Sequence, residues 1–303
     1  MNGADPCVLT PGNFDGVHVG HQALARATCE RAKAEGWRSV AMFFDPHPTR
    51  FFAPERAPAE LTSPTRRAEL LRGYGIDSVD IRAFDAAFAE QSPEDFVRNV
   101  IVGAHSARAV VIGHDFRFGK GRAGDAAYLE KLGQAHGFDV RVVQAVELDG
   151  VVSSTRVREA IGAGAVEVAA TLLGRPYETG GTVVQGDQRG RTIGFPTANL
   201  EVGGLAPADG VYAVVVNTGD AKVFGVANVG VRPTFNAGRS VEIHLLDFDG
   251  DLYGVELRVG WLARLRGEQK FSGIDALVQQ LHRDVAKGRE VASVTPKEVL
   301  AWI

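Results

Sequence analysis

The pattern of apolar residues changes at about Gly174, which divides the chain into two parts with different folds. From Cys7 to about Gly174, short apolar runs alternate with longer stretches that read as amphipathic helices. After the first run at Cys7, the candidate strands are SVAMFF at 39–44, SVDIRAF at 78–84, ARAVVIG at 107–113 and FDVRVVQ at 138–144. Strands that alternate with helices are typical of an α/β fold with a parallel sheet. In such sheets, ligands bind at the carboxyl ends of the strands.

After Gly174 the pattern becomes β-rich. The apolar runs are GTVVQ, GVYAVVVNT, KVFGVANVG, SVEIHLLDF and LYGVELRVGWLARL, and a helical period returns at about Gly273 in GIDALVQQLHRDVAKG. This pattern predicts a small β-barrel or sandwich closed by a C-terminal helix. The tail SVTPKEVLAWI predicts a short final helix, with Thr295 as N-cap and Pro296 at the first position.

Composition narrows the classes of function. A chain of 303 residues has room for two domains, and its net charge of -4 offers no basic field for nucleic acid or an anionic membrane. Two cysteines are too few for a disulfide framework, and the sequence contains neither a signal-peptide pattern nor an apolar run of membrane-spanning length. We therefore predict a cytoplasmic protein without nucleic-acid or membrane partners, and leave open whether it forms a homo-oligomer.

The stretch TPGNFDGVHVGH at 10–21 reads as a strand-to-helix loop. If Cys7 to Thr10 is a strand and a helix starts near Gly20, this loop lies where free helix N–H groups attract phosphate. His18 and His21 are three residues apart, so at a helix start their rings would point the same way. Two alternatives remain at this point: a capping turn with exposed histidines, and a metal pair that lacks further nearby ligands.

A second candidate anion site is VVSSTRVRE at 151–159, again a strand that runs into a helix. Ser153, Ser154 and Thr155 supply hydroxyls and an N-cap, and Arg156 and Arg158 can reach anionic oxygens. The alternative is a well-capped helix with surface arginines. GHDFRFGKG at 113–121 is not a Walker P-loop, because glycine follows Lys120 where Ser or Thr is required.

Together these motifs carry a resemblance. GNFDGVHVGH, FFDPHP at 43–48, GHDFRFGKGRAG at 113–124 and VSSTRVR occur in this order. The chain resembles the nucleotidylyltransferase superfamily, and within it the FAD synthetase module of bacterial bifunctional riboflavin kinase/FMN adenylyltransferases. The resemblance implies a Rossmann-like domain at 1–175. Pro11 departs from the family pattern, which usually has an aliphatic residue there, and it removes a backbone donor at the strand end.

The resemblance also implies roles for particular residues of this module. His18, His21 and Arg158 would be catalytic, and the FMN side would be lined by Asp45, Pro46, His47, Asp115, Phe116 and Arg117. The residues that it implies at the ATP phosphates are Gly12, Asn13, Phe14, Gly20, Ser154, Thr155 and Arg156.

In the β-rich half, GDQRGRTIGFPTANL at 186–200 combines glycines with arginines, as in a loop that folds over phosphates. Thr197 and Asn199 offer hard oxygens that suit Mg²⁺. Alternation in SVEIHLLDF puts Glu242 and His244 on one face, so Glu242 is a candidate proton acceptor. The alternatives are a basic surface loop ending in a turn and a solvated edge-strand glutamate. In DFDGDLYG, Asp249-Gly250 predicts a hairpin turn rather than a calcium loop.

These segments, with GVANVGVRPTF and EQKFSGIDALVQQLHRDV, resemble the riboflavin kinase module of the same family. The resemblance implies an antiparallel β-barrel domain at 176–303. It also implies Mg²⁺ and ATP phosphates at Thr197 and Asn199, and Glu242 as general base. Gly190, Arg191 and Gly194 would belong to an ATP-binding flap.

The expected function is therefore two ATP-dependent steps, riboflavin to FMN in the C-terminal module and FMN to FAD with release of pyrophosphate in the N-terminal module. The substrates would be riboflavin, FMN and ATP, with Mg²⁺ as cofactor. One alternative is a cytidylyltransferase-like enzyme for another small substrate, with a regulatory barrel. Another is a module that binds flavin without turnover.

Overall fold

The computed structural model describes residues 5–186, 190, 193–231 and 239–303. The chain divides into two compact units, one formed by Met1–Pro58 with Ser63–Ser153 and the other by Ala59–Thr62 with Ser154–Ile303. In the part of the chain that is described, no helix is both long and apolar enough to cross a membrane.

The N-terminal unit is built on a five-stranded parallel sheet, which confirms the predicted α/β class. The strand order is β3-β2-β1-β4-β5, and every neighbouring pair is parallel. The strands are β1 (Cys7–Pro11), β2 (Arg38–Asp45), β3 (Ser78–Ala83), β4 (Ala107–Gly113) and β5 (Asp139–Val143). β2 and β3 lie on one side of the central β1, and β4 and β5 lie on the other, so the direction of strand addition reverses between β1 and β4. A ligand crevice is expected at that point.

Helices cover this sheet, and polar caps set several of their starts. Ser63, Asp85, Ser92 and Asp125 each accept a bond from a backbone N–H of the helix that follows. The helices are α1 (Val19–Glu35), α2 (Pro48–Phe52), α3 (Pro64–Gly73), α4 (Ala86–Ala89), α5 (Pro93–Phe96, continued by a π-helix over Val97–Ala104) and α6 (Ala126–His136). Gly36 ends α1 with a φ of 70°, a conformation that favours glycine.

Every residue of β1 is buried. Cys7 and Leu9 pack into the larger core cluster on one face of the sheet, whereas Val8 packs with Ala27 and Ala32 of α1 on the other. Pro11 fits this position because the pairing of β1 with β4 ends at Leu9, so its missing N–H lies beyond the last paired residue on that side. The following amide, that of Gly12, donates to the carbonyl of Met42 at 3.0 Å.

The C-terminal unit contains a closed six-stranded antiparallel barrel, so the predicted barrel is confirmed and the sandwich alternative is wrong. The strand order around it is β10-β7-β6-β11-β8-β9, with β9 paired to β10. The strands are β6 (Tyr177–Val184), β7 (Ala198–Gly203), β8 (Gly210–Asn217), β9 (Lys222–Val231), β10 (Arg239–Leu245) and β11 (Glu256–Arg266). The helices of this unit are α7 (Ser154–Gly162), α8 (Val166–Leu173), α9 (Ile274–Val294) and α10 (Lys297–Leu300).

Three local predictions for this unit are corrected. For the segment at 186–200, the alternative of a loop that ends in a turn is wrong at its C-terminal end, because Ala198–Gly203 forms strand β7. Asp249-Gly250 is not a hairpin turn, because β10 pairs with β7 and β9 while β11 pairs with β6 and β8. Thr295 is not an N-cap, since its hydroxyl donates to the carbonyl of Val291 and it ends α9.

Candidate active sites

The loop after β1 joins the sheet to α1 in a compact turn. His18 is the N-cap, and its Nδ1 accepts from the backbone N–H of His21 at 3.3 Å. In the neutral ring, the proton is therefore on Nε2, which is left as a donor. The helix begins at Val19, one residue before the predicted start. A phosphate at this point would meet the amino end of a 17-residue helix.

The two histidine rings of the loop lie together. The rings of His18 and His21 stack with centroids 3.7 Å apart and planes inclined by 17°. The ring of Phe14 meets His21 edge-on at 5.2 Å. His18 is 7% exposed. The alternative of a capping turn with exposed histidines is therefore right about the cap and wrong about the exposure of His18.

Two glycines make this arrangement sterically possible. A Cβ at Gly12 would come within 3.0 Å of the Phe14 ring, and a Cβ at Gly20 within 3.1 Å of the His18 ring. The same position on Gly20 lies 3.9 Å from the carbonyl oxygen of Val152, two residues before α7. Glycine at these positions therefore lets the rings pack closely against the backbone.

The sequence analysis missed the residue that contacts this loop from α3. Arg67 donates from Nη1 to the carbonyl of Asn13 at 3.0 Å, and its Nη2 lies 3.3 Å from Oδ1 of Asp15. No local sequence pattern indicated this contact, because Arg67 follows Arg66 in a segment whose pattern is that of an ordinary helix.

The residues predicted at the FMN side follow β2 and β4. Asp45 and Pro46 are exposed and joined by a cis peptide bond, and His47 caps α2 by accepting from the Thr49 amide at 3.1 Å. Asp115 is exposed after β4, and Phe116 is half-buried with its ring stacked on Phe118.

Arg117 pairs with the cap of α6. Its Nη1 lies 3.1 Å from Oδ2 of Asp125. The backbone N–H of Tyr128, followed by the Arg117 guanidinium, holds the pKa of Asp125 below its ordinary value. Arg117 thus supports the loop that carries Asp115.

The sequence analysis also missed an aromatic cluster at the ends of β2 and β3. The ring of Phe84 contacts those of Phe44, Phe51, Phe52 and Phe88 at centroid distances of 5.2 to 5.8 Å. Phe52 is 66% exposed. Phe51-Phe52 sits next to the predicted FDPHP turn, and such a surface suits a flat aromatic ligand.

The residues of the SSTRVR segment begin α7. Val157, Ala160 and Ile161 form its buried stripe, while Ser154, Arg156 and Arg158 are half-buried and Thr155 is exposed. Arg158 donates from Nε to the carbonyl of Ala59 at 2.7 Å. Arg158, a surface arginine in the alternative interpretation, is therefore hydrogen-bonded to the short segment Ala59–Thr62.

In the barrel, strand register brings two predicted residues side by side. Glu242 of β10 is directly opposite Asn199 of β7, and Asn228 of β9 is opposite Glu242 on its other side. Residues directly opposite share a face, with Cβ atoms about 5 Å apart. Val241, Ile243 and Leu245 are buried and Glu242 and His244 are half-buried, as alternation predicts. Asn228, which is exposed, was missed because nothing in the sequence states the register.

The segment that precedes β7 is tightly packed. A Cβ at Gly186 would come within 2.1 Å of the Asn199 amide, and one at Gly190 within 2.1 Å of the Phe195 carbonyl and 3.5 Å of Oγ1 of Thr197. His244 lies 2.9 Å through Nδ1 from the Pro196 carbonyl. Gly194 is exposed with a φ of 83°. Arg191 and the RPTF segment at 232–235 lie outside the described residues.

The parallel sheet and the closed barrel correspond to two enzyme modules, and both are transferases of phosphorus-containing groups. The family model for FAD synthetase matches residues 2–156, and that for riboflavin kinase matches residues 173–292. The chain belongs to the bifunctional riboflavin kinase/FMN adenylyltransferase family. It phosphorylates riboflavin to FMN and adenylylates FMN to FAD.

Relatives that carry this family name match nearly the whole chain. The protein of Escherichia coli K12 is 41% identical over 293 residues, covering 95% of this chain and 94% of its own length. That of Pseudomonas fluorescens is 42% identical over 291 residues, with 95% and 93% covered. A crystal structure titled as a macrolide-efflux protein from Streptococcus pneumoniae matches with a TM-score of 0.87 and 35% identity, covering 95% of both chains.

Proposed function

We propose that the loop after β1 holds the ATP phosphates during FMN adenylylation. His18, His21, Gly12, Asn13, Phe14 and Gly20 form the cradle. We propose the same role, binding of the ATP phosphates, for Ser154, Thr155, Arg156 and Arg158 at the start of α7. The observation that carries this proposal is the stacked histidine pair at the amino end of α1. The FMN phosphate is already anionic, so positioning and charge neutralisation supply most of the rate, with no protein base.

In this proposal FMN lies at the carboxyl ends of β2 and β4. Asp45, Pro46, His47, Asp115, Phe116 and Arg117 line its site, and the Phe51, Phe52, Phe84 and Phe88 rings contribute an apolar surface for the isoalloxazine. The position of these loops beside the switch point between β1 and β4 supports it. The FMN phosphate then attacks the α-phosphorus of ATP, and pyrophosphate leaves.

In the barrel, Glu242 accepts the proton of the ribityl 5'-hydroxyl of riboflavin as that oxygen attacks the γ-phosphorus of ATP, giving FMN and ADP. The register that sets Glu242 beside Asn199 supports this role. Gly190, Arg191 and Gly194 would cover the phosphates.

Thr197 and Asn199 fit Mg²⁺, because a hydroxyl and an amide oxygen are hard donors and this cation keeps waters and nucleotide phosphates as its other ligands. The close packing of Gly186 against the Asn199 amide, with Thr197 near Gly190, supports this proposal because it keeps both donors next to the glycine-rich segment. When bound, Mg²⁺ would neutralise charge on the transferred phosphate.

We place the module boundary near 175/176, which lies just after the start of the riboflavin kinase match at residue 173.

We propose that the protein works in a reducing cytoplasm, which suits its two thiols. Cys7 and Cys29 are free, and burial raises the pKa of Cys7 to about 11 and also raises that of Cys29. Neither is a reactive thiolate at neutral pH.

The test is a time course with purified protein, riboflavin, ATP and Mg²⁺, resolved by chromatography into riboflavin, FMN and FAD. FMN should rise first and then give way to FAD, and a chelator that removes Mg²⁺ should stop the first step. Riboflavin left untouched, with added FMN also unconverted, would contradict the proposal and favour flavin binding without turnover.

A further inference from the structure

Arg67 is a charged residue on the buried face of α3. The buried residues of this helix are Arg67, Ala68, Leu70 and Leu71, a spacing that forms one core-facing stripe. Arg67 itself is 1% exposed. Burying a guanidinium raises the free energy of the folded protein unless the group is paired and hydrogen-bonded. The contacts of Arg67 therefore indicate its role.

The contacts of Arg67 converge on the loop after β1. One nitrogen donates to the Asn13 carbonyl at 3.0 Å, and the other lies 3.3 Å from the carboxylate of Asp15, which is 4% exposed. The guanidinium carbon lies 4.8 Å from the centre of the Phe43 ring on β2. Arg67 therefore holds the loop at two points on either side of Phe14, with its own plane supported by an aromatic ring.

This loop needs such support because its backbone is strained. Phe14 and Val17 have φ values of 52° and 43°, which are unfavourable for residues with a side chain, above all for β-branched valine. A residue in this conformation persists only when its surroundings hold it. The same loop ends at His18, the N-cap of α1.

A gain in stability does not by itself explain a buried ion pair. Well-packed apolar residues in place of a buried ion pair often give equal or greater stability, whereas a paired charge fixes the geometry of the groups around it. The geometry fixed here is that of the segment directly before His18 and His21.

We propose that Arg67 is a positioning residue for FMN adenylylation. By holding Asn13 and Asp15, it keeps His18, His21 and the amino end of α1 in the arrangement that meets the reacting phosphates. This inference rests on the proposed role of the loop as the phosphate site. Arg67 acts through the loop and does not touch the substrate.

The experiment compares full-length R67M and R67K with R72M, in which the same substitution falls on an exposed position of α3. In R67M, we expect kcat for FMN to FAD to fall about 100-fold, because displacements near 1 Å have that effect. The KM for ATP should change by less than about threefold, since the loss concerns the transition state. R67K keeps the charge and a donor, and should recover most of the rate.

Riboflavin phosphorylation by the same preparations serves as an internal control and should be unchanged. The folded fraction, followed by thermal unfolding, separates positioning from instability. Several results would overturn the proposal: an R67M kcat equal to that of R72M, a fall in kcat that only follows the folded fraction, or no recovery in R67K.

Should R67M fail to fold, D15N decides, because it removes the ion pair while keeping the side chain's shape. A lowered kcat for FAD with normal riboflavin phosphorylation supports the proposal, and a normal kcat overturns it. H21A separates this inference from the proposed function. If H21A still makes FAD at the normal rate, the loop is not the phosphate site. If H21A loses FAD synthesis while R67M keeps it, this inference alone is wrong.

Discussion

The loop after β1 and the polar row of the barrel are built in opposite ways. The loop is local, because Gly12 to His21 are consecutive residues at one junction of strand and helix. The barrel site is non-local, because Asn199, Asn228 and Glu242 come from three strands and meet only through their register.

This difference corresponds to a difference in chemistry. Adenylylation starts from an anionic phosphate. In the proposed function, the amino end of α1 and two imidazoles would stabilise the negative charge of the ATP phosphates, with no protein base. Phosphorylation of riboflavin starts from a neutral hydroxyl and needs a base beside a divalent cation. Neighbouring strands of a barrel can hold a carboxylate and an amide about 5 Å apart with little freedom.

Replacing Glu242 should have the largest effect. We expect E242Q to lower the rate of riboflavin phosphorylation about 10²- to 10⁴-fold, the usual contribution of a general base. Formation of FAD from added FMN should persist, because that step uses no base. E256Q, at an exposed position of β11, is the matched control. Unchanged kinase turnover in E242Q would remove the base assignment.

Replacing His21 should produce the converse loss. We expect H21A to reduce FMN adenylylation about 10²- to 10³-fold, as for loss of one preorganised donor, while FMN formation continues. H136A, an exposed histidine on α6, is the control. Parallel loss of both activities in a folded H21A protein would show that the sites are not separable.

Asn228 tests whether the polar row extends beyond the predicted pair. We expect N228A to slow riboflavin phosphorylation about tenfold, equivalent to one hydrogen bond to a charged group. The measurement is kcat for riboflavin, with FMN adenylylation as the internal reference. An unchanged kcat would limit the row to Asn199 and Glu242.

Gly260 tests how far the barrel site depends on packing. A Cβ there would come within 2.4 Å of Cδ1 of Ile303 and 3.1 Å of Cγ1 of Val215. G260A should therefore destabilise the barrel by about 1–3 kcal/mol, as overpacking does. On heating, kinase activity should fall before FAD synthesis does. Adding I303A to G260A should restore part of the lost stability, because it removes the side chain that the new Cβ would contact. If stability is not restored, the contact with Ile303 is not the source of the loss.

Asp80 tests acid stability in the N-terminal unit. A hydrogen bond from His105, together with Arg82, holds the pKa of the Asp80 carboxyl below its ordinary value. A lowered folded-state pKa means that Asp80 contributes stability at neutral pH. This contribution declines as pH falls below the unfolded value near 4 and is lost as pH passes the folded pKa.

Because Asp80 is partly exposed, we expect D80N to cost less than about 1 kcal/mol at pH 7. The difference in unfolding free energy between D80N and wild type should shrink as the pH approaches 3, as measured by denaturant titration at several pH values. A difference that does not change with pH would show that the ion pair is not its source.

Local chemistry explains what the sequence predicted well. The strands at 39–44 and 107–113, the Ser-Pro helix starts and the loop after β1 all depend on neighbours within a few residues. The end of the PTAN segment was harder, because Ala198–Gly203 becomes a strand only through pairing with β6 and β10. The predicted Asp249-Gly250 hairpin was wrong for the same reason, since strand pairing overrides a local turn signal.

The sequence was enough to predict the two fold classes, which the structure confirms, because periodicity and residue type are local properties. For the same reason it singled out the loop after β1 and Glu242 as candidates for function. Tertiary structure alone decided that Glu242 lies between Asn199 and Asn228, and that Arg67 holds Asn13 and Asp15. These contacts join residues that are 14 to 54 positions apart in the chain. Their geometry follows from strand register and helix packing, which no short stretch of sequence encodes.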